Sequence, residues 1–338
     1  MLSLHSITAQ IKKKGKNIYY SFASFSPLSP CAIIFLFHTV ESQSSPWTAG
    51  HRYITPYRIF QKQIRFIKDN FSVVPTSVLV GALSKSELKC PLASIHFDDG
   101  FRSYQDIALP YLKRESVPST VFLVDAVLKG YIPLRNRLAF CLNTGNKKRL
   151  FRAIEEYTHT KSAQKSKIGK MNVYDFLAWI KNRMDPQIEN IINREFLLCQ
   201  NDLSVRSPFI GSKDAIELSR DPDVEIGSHT LTHPMLTDLN AEEQKKEIIT
   251  GHENLENILG KKIHFFAYPH GGKTHFNETS RAIILEQGHM VAFSSYGGVN
   301  PDYQRDDIRR ITLTDHSTLD IKSTVLSNYR KSSSSINV

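Results

Sequence analysis

Short apolar runs recur along the chain and predict about seven buried β-strands. The runs are three to seven residues long, which is typical of strands, and polar or turn-forming residues bound them. None approaches the ~20 apolar residues that a membrane-spanning helix requires. The predicted strands are Cys31–Phe37, Leu92–Phe97, Thr120–Val124, Val224–Ile226, Ile263–Ala267, Val291–Ser294 and Arg310–Leu313.

Helical patterns with clear ends lie between several of these strands. Thr55–Pro56 predicts an N-cap followed by proline at the first helical position. Asn240 with Glu243 three residues later predicts a capping box, and Gly260 predicts the end of that helix. Residues 277–288 predict another helix. The alternation of strands and helices favours a parallel α/β architecture, either a barrel or an open sheet.

Residues 133–222 differ from the rest because their apolar positions repeat at helical spacing and little in them is typical of a strand. We interpret this block as a mainly helical insertion in one connection, not as a separate enzyme. The sequence therefore predicts a basic N-terminal extension over 1–30, one catalytic barrel over 31–329 that contains the insertion, and a disordered tail over 330–338. The repeating positions are Leu150, Ile154, Phe176, Ile180, Ile188 and Ile192.

The formal net charge of +10 is unevenly distributed over the 338 residues. Residues 1–30 carry +4, residues 133–222 carry +6, residues 330–338 carry +2, and the remainder carries −2. Nucleic-acid binding would need a basic stripe on the folded body, so we expect no nucleic-acid partner. The basic segments suit peripheral contact with an anionic membrane surface or an acidic glycan, away from the chemistry.

The four cysteines are widely spaced and form no CxxC pair, so the sequence predicts reduced, structural thiols. No apolar secretory segment follows the basic residues near the N-terminus. We therefore expect a cytoplasmic protein that acts in the cytoplasm or at the inner face of the membrane.

Two pairs of polar residues follow predicted strands, at the edge where parallel α/β folds collect their active sites. Asp98 and Asp99 come after one strand, and such neighbouring carboxylates repel unless a cation or a proton separates their roles. His229 and His233 come after another, and they would converge on one metal ion if the residues between them formed a helical turn. Taken singly, each pair is equally typical of a polar surface turn.

A third segment, Tyr268-Pro269-His270-Gly271, ends a further strand. A loop of this kind can present backbone N–H groups to an oxyanion, although an ordinary turn has the same composition. Together and in this order, the three segments resemble the polysaccharide deacetylase family, also known as NodB-homology proteins or carbohydrate esterase family 4. The branch from exopolysaccharide and surface-polysaccharide gene clusters is the closer likeness, because Leu36–Val40 contains a histidine and Arg310-Ile311 follows late in the chain.

The resemblance implies an α/β fold, a distorted (β/α) barrel of about seven strands with the mainly helical insertion. It also implies a divalent metal, zinc first, with cobalt, manganese and nickel as alternatives, held by Asp99, His229 and His233. Asp98 would be the general base. The backbone N–H of His270, which stands where the family usually has tyrosine, would share the oxyanion. Substrate would be bound by Tyr268, Pro269 and Gly271.

This sequence departs from the family at the position that orients the general base. Many members have arginine there, and this chain has Ala267. We predict that Arg310 takes over the role, with Arg309 as the less favoured candidate. For the general acid we favour His38, by analogy with members that place this histidine early, over His316, whose spacing is poor.

The resemblance implies a metal-dependent hydrolase of carbon–nitrogen bonds other than peptide bonds. It would remove N-acetyl groups from an N-acetylated sugar of a polysaccharide or glycan precursor. Two alternatives stay open: a catalytically weak carbohydrate-binding relative, and a deacylase that acts on another amide or on O-acetyl groups.

Overall fold

The computed structural model describes residues 30–144, 147–161, 171, 175–176, 179–180, 186–201 and 206–334. The predicted N-terminal extension, apart from Pro30, lies outside these residues. Within them, Cys31, Cys90 and Cys141 are free thiols. No helix in the described part of the chain is long and apolar enough to cross a membrane. The predicted cytoplasmic location and membrane contact stay predictions.

The strands form one large sheet and one separate pair, and all their pairings are parallel. The strands are β1 Ala32–Phe37, β2 Thr39–Glu41, β3 Ile54–Pro56, β4 Ser72–Val73, β5 Leu92–Phe97, β6 Ser119–Leu123, β7 Val224–Ser228, β8 Phe265–Ala267, β9 Val291–Ser294, β10 Ile308–Arg309 and β11 Ile311–Thr312. The large sheet has the order β10-β9-β8-β7-β6-β5-β1-β11, with β4 added beside β5, while β2 pairs with β3. Because both faces of the central strands are covered, β1 and β6 are buried throughout; β1 is entirely apolar, and β6 is apolar over residues 121–123.

The sheet curls into a nearly closed barrel whose two edges meet at Arg310. β10 pairs with β9 on one edge, and β11 pairs with β1 on the other. Only Arg310 lies between them, so the predicted strand Arg310–Leu313 is present as the shorter β11, and β10 precedes it as a separate strand. The chain must leave β9 to reach β1, and this interrupts the backbone hydrogen bonding between strands at Arg310. The predicted α/β barrel itself is confirmed.

The helices occupy the connections between strands. They are α1 Tyr57–Asn70, α2 Thr76–Ser84, α3 Leu109–Arg114, α4 Asp125–Leu128, α5 Leu134–Asn143, α6 Lys147–Lys161, α7 Pro186–Asn201, α8 Ser212–Leu218, α9 Ala241–Lys245, α10 Gly251–Leu259, α11 Glu278–Glu286 and α12 Thr318–Ser334. A π-helical turn, Lys246–Thr250, joins α9 to α10.

Two of the predicted helix ends match the sequence signals, and a third is shifted by one residue. The Asn240 side chain accepts from the backbone N–H of Glu243, and the Glu243 carboxylate accepts from the backbone N–H of Asn240, as a capping box requires. Gly260 ends α10 with a left-handed φ of 66°. The predicted cap at Thr55 is wrong because Thr55 belongs to β3, so α1 starts one residue later, with Pro56 as its N-cap.

The insertion lies between β6 and β7 and has an apolar core of its own. Its described residues contain α5, α6, α7 and α8, and the predicted apolar positions in it are buried. Trp47, from the loop between β2 and β3, stacks on Phe140 of α5 with ring centroids 4.1 Å apart and joins this core. The insertion is therefore packed onto the barrel through that loop.

The C-terminal helix extends further than the sequence suggests. Ile321, Val325 and Leu326 of α12 are buried in the main core, which holds the helix against the barrel. As a result, residues 330–334 are helical, although they were predicted to begin a disordered tail. Residues 335–338 lie outside the described residues.

Candidate active site

The two adjacent carboxylates stand in a turn of unusual backbone conformation. β5 ends at Phe97, and Asp99 and Gly100 then adopt left-handed φ angles of 72° and 69°. Aspartate tolerates this region better than most residues, and glycine adopts it freely. A Cβ at Gly100 would lie 3.0 Å from the Leu123 side chain, so the turn is also tightly packed. Both carboxylates are buried as a result.

No helical turn joins His229 and His233. The segment is an irregular bend in which Thr230 and His233 have φ angles of 67° and 69°. The Thr230 hydroxyl accepts a hydrogen bond from the backbone N–H of His233 at 3.0 Å, and this closes the bend. The two imidazoles still converge, with ring centroids 4.7 Å apart.

Contacts from the far side fix this bend in place. Glu247, in the π-helical turn, accepts from the backbone N–H and the hydroxyl of Thr232 at 2.8 and 2.7 Å. Its carbonyl also accepts from the backbone N–H of Leu231 at 2.9 Å. Gly251 lets α10 approach, since a Cβ there would lie 2.5 Å from the Leu231 nitrogen. Local sequence patterns gave no signal for Glu247 or Gly251.

Asp99, His229 and His233, here called the strand-end cluster, offer ligand atoms that all lie within 4.8 Å of one another. Asp99 Oδ1 is 3.1 Å from His233 Nε2 and 3.6 Å from His229 Nε2. His229 Nδ1 lies 2.7 Å from the carbonyl oxygen of Ala267, an acceptor, so Nδ1 carries the proton and Nε2 keeps its lone pair. One carboxylate and two imidazoles fit zinc and its first-row neighbours.

Asp98 is held by Arg310 in a bidentate ion pair. The Arg310 Nη1 and Nη2 atoms lie 2.8 and 2.7 Å from the two Asp98 oxygens, and Nε donates to the carbonyl of Ser294 at 2.9 Å. Burial raises the pKa of Asp98, but the charge of Arg310 outweighs this effect, so the pKa lies below its ordinary value. Arg310 thus makes the contact to Asp98 for which this chain has no arginine at position 267.

The two candidate general acids differ in what they already bind. His316 Nδ1 accepts from the backbone N–H of Thr314 at 3.1 Å, and its carbonyl accepts from Gln63 at 2.8 Å, so it serves a turn. His38 Nδ1 is buried and has no hydrogen-bond partner within the described ranges. Burial lowers the pKa of His38. His38 is thus the candidate with a buried ring nitrogen that is free to act, whereas His316 Nδ1 is occupied by its turn.

The loop after β8 exposes the His270 ring but holds its backbone. His270 has a φ of 61°, and the Ser295 hydroxyl donates to its carbonyl at 2.7 Å. A Cβ at Gly271 would lie 2.4 Å from that hydroxyl, which requires glycine there. The Gly271 N–H donates to Pro269, whereas the His270 N–H has no recorded acceptor among the described residues. The His270 and His233 ring centroids are 4.8 Å apart.

Two side chains near these loops are part of the core. Tyr268 was predicted to bind substrate, but its ring stacks on Phe276 at 4.0 Å and its hydroxyl donates to the Asp306 carbonyl at 2.9 Å. The ring is fully buried, so its side chain stabilises the fold instead of facing substrate. His96 is likewise buried, with Nε2 2.9 Å from the Thr76 hydroxyl.

The insertion reaches the strand-end cluster through Arg135, which sequence reasoning missed. Arg135 Nη2 lies 2.5 Å from Asp99 Oδ2, the oxygen that does not face the imidazoles. Its guanidinium also lies over the Tyr53 ring, 5.0 Å from the centroid. The next residue, Asn136, donates to the Trp47 carbonyl at 3.1 Å and anchors the start of α5. The expectation that the insertion stays away from the chemistry is therefore wrong.

Comparison with known families points to the same chemistry. A family model described as polysaccharide deacetylase matches residues 178–292. The matched segment contains His229 and His233, and Asp98 and Asp99 lie before it. The predicted resemblance and the predicted enzyme class are confirmed by this match. Among curated proteins, none matches the chain.

Solved structures share the fold at low sequence identity. The Streptococcus pyogenes deacetylase PplD in complex with acetate is 16% identical with a TM-score of 0.57, over 88% of this chain and 99% of that one. IcaB from Ammonifex degensii is 16% identical with a TM-score of 0.56, over 88% and 97%. A de-N-acetylase from Aggregatibacter actinomycetemcomitans is 15% identical with a TM-score of 0.54, over 87% and 99%. These likenesses confirm the barrel.

Proposed function

We propose that this polysaccharide deacetylase-like chain is a metal-dependent hydrolase that removes N-acetyl groups from an N-acetylated sugar of a polysaccharide or glycan precursor. The observation that carries the proposal is the buried Asp98–Arg310 pair beside the strand-end cluster, with Asp98 Oδ2 3.9 Å from His229 Nε2. A fixed base next to a set of metal ligands is what amide hydrolysis requires.

The strand-end cluster would hold zinc, with cobalt, manganese or nickel as alternatives. Such an ion, when bound, would lower the pKa of a water molecule beside it and polarise the acetyl carbonyl. Asp98 would accept the proton of the attacking water, and it is ready to do so because Arg310 keeps it ionised. Arg310 also fixes the direction of the carboxylate, since two parallel N–H donors restrain both oxygens.

The remaining steps fall to groups on two other loops. The His270 N–H would donate to the acetyl oxygen as negative charge develops on it. His38, in its protonated form, would give its proton to the leaving amine, and the nearby carboxylates of Asp98 and Asp99 favour that form. Its buried Nδ1 has no other hydrogen-bond partner among the described residues. Pro269 and Gly271 would line the substrate side through the backbone of the loop they share with His270.

The alternative of a weak carbohydrate-binding relative rested on histidine in place of tyrosine at His270 and on the loss of arginine at Ala267. Because Arg310 makes the bidentate contact to Asp98, that loss no longer argues against catalysis. The alternative of a different amide or an O-acetyl substrate is a question for the assay.

The test is acetate release from N-acetylglucosamine oligomers and from lipid-linked N-acetylated sugars. We expect release by the zinc-loaded protein, its loss on treatment with a chelator, and recovery when zinc is restored. O-acetylated sugars assayed in parallel separate an amidase from an esterase. No release from any N-acetylated sugar by zinc-loaded protein, or release that the chelator leaves unchanged, would contradict the proposal.

A further inference from the structure

A second group of metal-ligating side chains lies outside the active site, against α10. His252 and Glu256 are four residues apart on this helix, and His289 lies just before β9. Their ligand atoms all lie within 4.8 Å of one another. We call His252, Glu256 and His289 the helix cluster. The mechanism proposed above uses none of these residues.

His252 has a buried ring nitrogen with no hydrogen-bond partner. Its side chain is 5% exposed, and Nε2 makes no hydrogen bond within the described part of the chain. Nδ1 lies 3.0 Å from the Ser228 hydroxyl, so a proton on Nδ1 leaves the Nε2 lone pair directed at Glu256, 3.4 Å away. Buried polar atoms usually have a hydrogen-bond partner, so the unpaired Nε2 of His252 is available to bind a metal ion.

The pair of His252 and Glu256 is not an ordinary ion pair. His252 Nε2 and Glu256 Oε1 are 3.4 Å apart and form no hydrogen bond with each other. Glu256 has a partner of its own, Lys262, at 2.5 Å, and that lysine side chain is 76% exposed. Glu256 Oε1 also accepts from the backbone N–H of Ile263 at 3.1 Å, which directs this oxygen towards His252. A carboxylate is therefore fixed opposite the unpaired Nε2 of the His252 imidazole.

Two further imidazoles lie in the turns that lead into β8 and β9: His289 faces His252, and His264 lies beside His289. The His289 ring centroid is 5.7 Å from that of His252, and the His264 ring centroid is 6.0 Å from that of His289. Both side chains are exposed and can adjust. Imidazole and carboxylate together favour zinc, cobalt or nickel over calcium and magnesium, which prefer oxygen ligands.

We propose that the helix cluster is a second divalent-metal site, with His264 as the fourth ligand, that fastens α10 to the turns before β8 and β9. Its metal would be structural, since no carboxylate corresponding to Asp98 stands beside it among the described residues. α10 also approaches the bend that carries His233, through Gly251, so the site would add stability to a helix beside the active site without taking part in the reaction.

The test is zinc content by elemental analysis, with calorimetric titration of zinc into the full chain. The variants are His289→Gln, whose exposed side chain can change without disturbing the core, and Glu253→Gln, which removes an exposed carboxylate from the same helix as a matched control. We expect His289→Gln to bind one zinc fewer than the unmodified chain and to release acetate at the same rate. Glu253→Gln should match the unmodified chain in both.

A parallel His233→Gln variant reports on the strand-end cluster separately. The proposal for the helix cluster is supported if the double variant of His233→Gln and His289→Gln contains less zinc than His233→Gln alone. This comparison does not depend on the rate at which His233→Gln releases acetate. It is overturned if His289→Gln leaves the zinc content and the calorimetric isotherm unchanged, or if both variants lose the same single ion.

Discussion

The two histidine–carboxylate clusters use similar side chains on very different backbones. The strand-end cluster stands on two irregular loops, and the helix cluster stands mainly on one regular helix. Of the six non-glycine residues with positive φ in the described chain, four are Asp99, Thr230, His233 and His270. Such conformations cost about 1–3 kcal/mol each and collect where function requires them.

The clusters also differ in what surrounds them. The strand-end cluster has a buried carboxylate beside it and two arginines, Arg310 and Arg135, that hold its acids. The helix cluster has an exposed lysine on its acid. The comparison teaches that ligands alone do not make a catalytic centre. The base, its fixed orientation and the strained loops distinguish one cluster from the other.

The largest expected effect comes from Asp98→Asn. This change keeps the shape of the side chain and removes the base, so turnover should fall by ~10²–10⁴-fold. Zinc content should stay the same, because Asp98 is not one of the strand-end ligands. Acetate release and elemental analysis measure the two quantities on one preparation.

The matched control for that variant is Glu256→Gln in the helix cluster. It removes an acid from the other histidine–carboxylate group and should leave acetate release at its normal rate. Near-normal release by Asp98→Asn would remove Asp98 from the mechanism. A comparable loss in Glu256→Gln would remove the distinction between the clusters.

The next effect is on stability, and Arg310→Met tests it. Losing one partner of a buried pair leaves Asp98 charged and unpaired, which typically costs about 3–5 kcal/mol in the free energy of unfolding. Arg309→Met is the control, because Arg309 is partly exposed and donates to the carbonyl of Val299 instead. Urea denaturation compares the two. Equal midpoints would show that the Asp98–Arg310 pair contributes no net stability.

Much of the barrel was predictable, because its signals are local. β5 and β9 have the predicted bounds, since a buried parallel strand is a continuous apolar run. The capping box of Asn240 and Glu243 was also predictable, because both partners lie within one helical turn. Asp98 and Asp99 stand directly after a strand and could be found by the same reasoning.

What the sequence could not show depends on contacts between distant segments. The bend from His229 to His233 takes its shape from Glu247 and Gly251, and no local pattern in the sequence indicates these two contacts. The break at Arg310 arises because closing the barrel requires two different neighbours. Tyr268 was assigned to substrate because the motif drew attention to it, yet its partner Asp306 lies 38 residues away.

The smallest expected effect concerns Arg135, which joins the insertion to the strand-end cluster. Arg135→Gln removes the group that restrains Asp99 Oδ2 while Oδ1 faces the imidazoles. Partners of metal ligands typically contribute ~10–100-fold to activity or metal affinity, so turnover should fall by roughly 10-fold. Arg137→Gln is the matched control on the same helix, because Arg137 contacts Tyr131 and Glu189 instead. If both variants release acetate at the same rate, the insertion packs against the site without acting on it, and Asp99 is oriented by its own strand-end turn.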